Sequence, residues 1–186
     1  TSHLPHMLPP EHIFAQTVKT LVPGSEKPVF LYSTNGFVGS ARVWWMLRAF
    51  GFEHCRVLNG GFDAWRSEGF PIESGPPLAA EESKPMSPFI PKLKAELVWT
   101  MSQVLDNVKS DVPRMVLDAR SHGRFHGLDP EPRPGLPSGH IPGSYCLPFT
   151  ECMKTDTEPP VLKSQQELVT LLKSRGISES ASAGYA

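Results

Sequence analysis

The sequence predicts an α/β fold with parallel sheets flanked by helices, on three observations. Segments with helical spacing alternate with short apolar runs, and the connections between them are brief. The run Val29-Phe30-Leu31 lacks polar alternation, as a strand covered on both faces does. With 15 glycines and 20 prolines in 186 residues, the chain holds too many turn formers for a helical bundle.

The elements follow in order. Glu11–Leu21 carries Phe14, Val18 and Leu21 on one helical face, behind Pro9 and Pro10, where proline suits a helix start. Residues 28–32 read as a buried strand, and Ser33-Thr34-Asn35-Gly36 as a turn. A helix from Gly39 carries Val43, Trp44, Met46, Leu47 and Phe50 and stops at Gly51. Residues 55–58 form the next strand, closed by Asn59-Gly60-Gly61, and a small helix takes in Phe62, Trp65 and Arg66. From Gly75 to about Lys94, five prolines interrupt a stretch without periodicity, which reads as a linker. A second α/β pattern then starts, with a helix over 99–108 and a strand over 115–117 leading into Asp118-Ala119-Arg120. A long Gly-, Pro- and Arg-rich loop, a strand over 144–147 and a helix over 164–173 complete it.

Composition excludes several classes. The chain carries 18 Lys+Arg against 19 Asp+Glu, a formal charge of −1, which argues against a nucleic-acid partner. No run approaches the roughly 18 apolar residues that cross a bilayer. The three cysteines Cys55, Cys146 and Cys152 show no C-x-x-C spacing, so neither a disulfide scaffold nor a zinc site is expected, and a reducing compartment is. The chain opens with Thr1 and shows no charged-then-apolar leader, so its natural start is expected to lie upstream.

Several motifs stand in series: His6-Met7-Leu8-Pro9, Ser40-Ala41-Arg42-Val43-Trp44-Trp45-Met46, and Leu58-Asn59-Gly60-Gly61-Phe62 with Trp65. Then come Asp118-Ala119-Arg120, Gly123-Arg124-Phe125, Pro130-Glu131-Pro132-Arg133 and Ser138-Gly139-His140-Ile141-Pro142-Gly143. In this order they resemble the tandem-domain rhodanese family, in its 3-mercaptopyruvate (thiosulfate) sulfurtransferase branch. The resemblance covers His3 to about Gly176. It implies two rhodanese-like domains, both incomplete here: a remainder of the first over 1–75, a Pro-rich linker over 76–94, and the first part of the second over 95–186. The helices at 11–21 and 164–173 are similar in length and pattern, so the halves read as repeats, the second stopping short of its central elements.

Family enzymes move a sulfane sulfur from 3-mercaptopyruvate or thiosulfate onto a cysteine, then to a thiol or cyanide. Their nucleophile lies in a Cys-Gly-x-Gly-Val-Thr loop, which these 186 residues do not contain. The resemblance therefore implies no catalytic residue here, no metal and no cofactor. The expected partner of the complete protein is a small anionic sulfur donor, and its expected compartment is mitochondrial or cytoplasmic. Proteins that cover the incomplete domains are the other expected partners.

Arg124 and Arg133 match the family arginines that grip the donor, since guanidinium forks bind carboxylates bidentately. Alternatively they are solvated, or partner Asp118 and Glu131. His6 matches a histidine near the substrate pocket; the plainer reading is a packed or capping residue. His140 is expected to make a structural hydrogen bond, and Asp118 and Arg120 to form an ion pair bracing a strand end. The turn from Ser33 to Gly39 is either an anion-binding relic or a plain strand-to-helix turn. Cys55 and Cys146 fall in strands and Cys152 in a loop, and none reads as a nucleophile. Trp44, Trp45 and Trp65 read as core. Two functions stay open: a sulfurtransferase inactive as this chain alone, and a non-catalytic structural subunit of a larger, mitochondrial assembly. A third, an anion or thiol sensor, would retain the arginine loop.

Overall fold

A computed structural model describes residues 7–21, 27–34, 37–76, 89–154 and 156–177. The chain divides into two compact units, Thr1–Trp99 and Thr100–Ala186.

The first unit contains α1 (Glu11–Leu21), β1 (Val29–Leu31), α2 (Val38–Ala49), β2 (Cys55–Val57) and α3 (Gly61–Ser67). β1 and β2 pair in parallel, with Val29 opposite Cys55 and Leu31 opposite Val57, and α2 makes the crossover. Parallel pairing requires such a crossover, because two strands running the same way cannot be joined by a tight turn. Helix α2 ends in a Schellman motif: Gly51 N–H donates to Arg48 O at 3.0 Å and Phe52 N–H to Leu47 O at 2.8 Å. Gly51 has φ +91°, which explains the glycine there. The motif turns Phe52 back onto Leu47, and both join Phe14, Val18, Phe50 and Cys55 in the core. Phe14 stacks on Phe50 with centroids 4.1 Å apart. Burying each phenylalanine contributes on the order of 2–3 kcal/mol.

The end of the Pro-rich stretch is laid along this unit. Lys92 N–H donates to Phe50 O (3.0 Å) and Lys94 N–H to Ala49 O (2.7 Å), Leu93 N–H donates to Glu11 Oε2 (3.0 Å), and Phe89 packs edge-on against Phe52.

The second unit contains α4 (Met101–Val108), β3 (Leu117–Asp118), α5 (His122–Phe125), β4 (Tyr145–Cys146), a 3-10 turn (Phe149–Cys152) and α6 (Gln165–Ser174). β3 and β4 are parallel, with Asp118 opposite Cys146. Their pairing is prolonged by Tyr145 N–H to Val116 O and Leu147 N–H to Asp118 O, both 2.9 Å. Capping boxes start α4 at Thr100 with Gln103, and α6 at Ser164 with Glu167. Phe125, Leu147 and Met153 form the buried apolar set.

Five expectations need correction. β1 is not covered on both faces: Phe30 is 67% exposed, because among the described residues β1 pairs with β2 alone. Leu21 is exposed at the end of α1, beyond the turns that Phe14 and Val18 anchor. Trp44 and Trp65 are each 38% exposed rather than core. Leu47 and Ala49 face inward from α2, while Trp44 lies under the Arg48 guanidinium, 5.7 Å from the ring centroid. The helix expected from 99 begins at 101, where the Thr100 side chain caps it. The long loop is not wholly irregular, since Ser121 caps the short helix α5 inside it.

Candidate anion-binding site

The loop chemistry of the second unit is organised by one arginine. Asp118 ends β3, and its carboxylate accepts from the backbone N–H of Arg120 at 2.9 Å, turning the chain back on itself. Arg120 Nε donates to Asp118 Oδ1 at 2.9 Å and Nη2 donates to Oδ2 at 2.5 Å. Nη1 donates to Glu131 Oε1 at 2.7 Å, and Nη2 also to Gly139 O at 2.7 Å. Every side-chain nitrogen of Arg120 is thereby engaged. The ion pair with Asp118 braces the strand end, as its spacing requires.

Arg124 comes to the same carboxylate from α5. Its Nε donates to Glu131 Oε1 at 3.2 Å and its Nη2 to Oε2 at 2.6 Å. Glu131 thus sits between two guanidinium groups, and Arg124 first, then Arg120, hold its carboxyl below the usual range despite burial. The Arg120 hydrogen bonds likewise hold Asp118 low. Gly123 makes the geometry feasible: a Cβ there would sit 1.9 Å from Asp129 Oδ2. Its carbonyl accepts from Leu128 and Asp129 N–H, closing the turn after α5. His140 stacks on Phe125 at 3.9 Å, with Nδ1 2.9 Å from Phe125 O, which is the structural bond its turn implies.

A cavity of about 650 Å³ opens beside the Asp118–Arg120 pair, lined also by Ser138, Gly139, His140 and Ser144. Neither Arg124 nor Arg133 is in its wall. Arg133 is an exposed loop residue with no hydrogen bond or ion pair of its side chain among the described residues. His6 lies outside the described residues. Among the described residues, Arg124 and Arg133 share no hydrogen-bond or ion-pair partner, and neither lines this cavity. Instead, Arg124 is held by Glu131, the alternative its loop position left open.

Cys55 is fully buried, and burial pushes its thiol up. Burial does the same to Cys152, against the opposing charge of Lys163. Cys146 has a neighbour that the sequence gave no sign of: its Sγ lies 3.3 Å from Nδ1 of His122, 24 residues away. No group of three or more His, Cys, Asp or Glu side chains is arranged to hold a metal among the described residues.

A crossover-linked parallel pair of strands in each unit, with the arginine-rich loop after β3 in the second, defines an α/β protein of parallel sheets flanked by helices. Residues 3–68 match the family of the rhodanese-like domain. The chain thus carries a rhodanese-like domain over residues 3–68, and its homologues are 3-mercaptopyruvate and thiosulfate sulfurtransferases. It is 42% identical over 164 residues to the mitochondrial thiosulfate/3-mercaptopyruvate sulfurtransferase 1 of Arabidopsis thaliana, covering 80% of this chain and 43% of that protein. A probable 3-mercaptopyruvate sulfurtransferase of Schizosaccharomyces pombe is 38% identical over 178 residues, covering 95% of this chain and 58% of the relative. The crystal structure of a 3-mercaptopyruvate sulfotransferase from Escherichia coli is similar with TM-score 0.74 and 31% identity, over 95% of this chain and 62% of that one. The yeast mitochondrial complex I sub-stoichiometric sulfur transferase subunit is similar with TM-score 0.76 and 31% identity, over 96% and 63%. The chain thus spans about half the length of the curated relatives it matches.

Proposed function

We propose that these 186 residues supply the donor-gripping part of a sulfurtransferase that moves sulfane sulfur from 3-mercaptopyruvate or thiosulfate to a thiol or cyanide acceptor. The observation that carries the reading is the Arg124–Glu131 pair. Glu131 takes Nε and Nη2, so the Nη1 edge of a fixed guanidinium is left to meet a donor oxygen. Arg133, on the same loop and without a side-chain partner among the described residues, is the second arm, and His6 is the third proposed contact. A fixed guanidinium loses less side-chain entropy on binding than a mobile one, so the carboxylate clamp favours affinity.

The chain by itself turns over no mercaptopyruvate in this reading, because it contains no Cys-Gly-x-Gly-Val-Thr loop. Two measurements test it. Calorimetry with pyruvate-like carboxylates is expected to show weak binding that Arg124→Ala and Arg133→Ala each abolish; binding indifferent to both variants would sink the role of the arginines. A persulfide assay with mercaptopyruvate is expected to show no turnover. Turnover abolished by serine at any of the three cysteines would overturn that part. The compartment proposed is mitochondrial or cytoplasmic; one relative is named mitochondrial.

A second reading, a non-catalytic subunit of a larger assembly, is favoured by one feature of the first unit. Phe30, Tyr32, Leu58, Phe62, Trp65 and Ile72 line an open apolar groove of about 560 Å³. Exposed apolar surface of this kind marks interaction sites, and the complex I subunit is a structural relative. Size-exclusion chromatography that gives a stable, cooperatively unfolding monomer would count against it.

A further inference from the structure

Cys146, His122 and Glu151 form a relay outside the arginine cluster. Cys146 lies in β4, His122 opens α5 and Glu151 lies in the 3-10 turn after β4. Cys146 Sγ is 3.3 Å from His122 Nδ1, and His122 Nε2 is 2.6 Å from Glu151 Oε1. Glu151 is anchored in turn: Arg175 Nη2 donates to its Oε2 at 2.5 Å, and Lys163 Nζ donates to its backbone carbonyl at 2.5 Å. Nucleophile, base and orienting carboxylate within hydrogen-bond reach is the arrangement that activates a thiol.

The proton inventory follows from the bonds. Burial raises the Glu151 carboxyl, but hydrogen bonds from His122 and Arg175 outweigh it and hold the group below the usual range. An ionised carboxylate only accepts, so in the neutral imidazole His122 Nε2 carries the proton and Nδ1 turns its lone pair to the thiol. Burial first, then Asp118 and Glu151, push the Cys146 thiol up, against Arg175 and Arg120. At neutral pH the sulfur is therefore a thiol, and its proton has to leave during attack. The His122 side chain is 48% exposed and Cys146 only partly covered, so a small molecule has access.

We propose that Cys146 is a modification site that undergoes thiol–disulfide exchange with small disulfides, with His122 as general base and Glu151 as the residue that positions it. As Sγ attacks one sulfur of the disulfide, His122 Nδ1 takes the thiol proton. The bond from Sγ to that sulfur forms, and the S–S bond of the reagent breaks. The departing thiolate takes the proton back from His122 and leaves as a thiol. One disulfide is consumed and one mixed disulfide is made, so no further oxidant is needed.

The test uses the full chain and oxidised glutathione, with the site located by peptide mass spectrometry and folding checked by circular dichroism. Cys146 is expected to be labelled ahead of Cys55 and Cys152. His122→Ala is expected to slow labelling of Cys146 about tenfold or more at neutral pH, and Glu151→Gln to slow it in the same direction. Above the cysteine range, where the thiol is ionised without help, both variants are expected to match the parent chain. A merely structural role would lower both rates together. Faster labelling of another cysteine, an unchanged neutral rate in His122→Ala, or an equal loss at both pH values would overturn the proposal.

Discussion

Replacing Asp118 by asparagine probes the brace around which the second unit is organised. Asp118→Asn keeps the size and one carbonyl oxygen, so the backbone N–H of Arg120 retains its acceptor. What is lost is the charge and the contacts of Nε and Nη2 to Oδ2. The Asp118 side chain is 12% exposed and that of Arg120 is 28%, so water screens the pair only in part. Hydrogen bonds to charged groups contribute about 1.5–3 kcal/mol each, and exposure moves them toward the low end. Arg120 also keeps Glu131 and Gly139 as partners, which caps the damage. The expected cost is about 2 kcal/mol, read locally by hydrogen exchange. The amides of Tyr145 and Leu147, which bond to Val116 O and Asp118 O, should exchange about thirtyfold faster. Arg120→Ala should cost more, because it leaves the Asp118 carboxylate with a single backbone N–H, takes the donor from the Gly139 carbonyl and leaves Glu131 to Arg124 alone. Equal protection in Asp118→Asn and the parent chain, or a larger loss from Asp118→Asn than from Arg120→Ala, would refute the brace.

Further outcomes follow from the same contacts. Phe50→Ala, at a side chain 1% exposed and stacked on Phe14, should destabilise the first unit by about 3–5 kcal/mol. Tryptophan fluorescence during urea unfolding reads this directly, since Trp44, Trp45, Trp65 and Trp99 all lie in that unit. Gly123→Ala should force Asp129 aside and loosen the turn after α5, seen as faster exchange of the Leu128 and Asp129 amides. Ser164→Ala removes a capping box and should cost about 1 kcal/mol, measured as the shift in urea midpoint. Asp118, Glu131 and Glu151 are all held below the usual carboxylate range. Their stabilisation is fully present above that range and is lost as pH falls through the depressed native values. Urea midpoints should therefore fall as pH drops into and below the usual carboxylate range, and less steeply in Arg120→Ala.

The sequence by itself determined the alternation of helix and strand, the parallel sense of the sheets and the family resemblance. Each rests on local information: period, turn chemistry at Gly51, and motifs whose backbone demands are short-range. The Schellman turn at Gly51 was legible as a helix stop, and the Asp118–Arg120 pair as a neighbour contact two residues apart. Tertiary structure decided what no local pattern encodes. Phe30 looks buried by composition and is exposed, because burial depends on how many strands flank it. Arg124 is as much a loop arginine as Arg133 in sequence, yet Glu131 closes on one of them among the described residues. The pairing of Cys146 with His122 was invisible for the same reason: 24 residues of chain separate them, and only the register of β4 beside β3 and the turn into α5 bring sulfur and imidazole together.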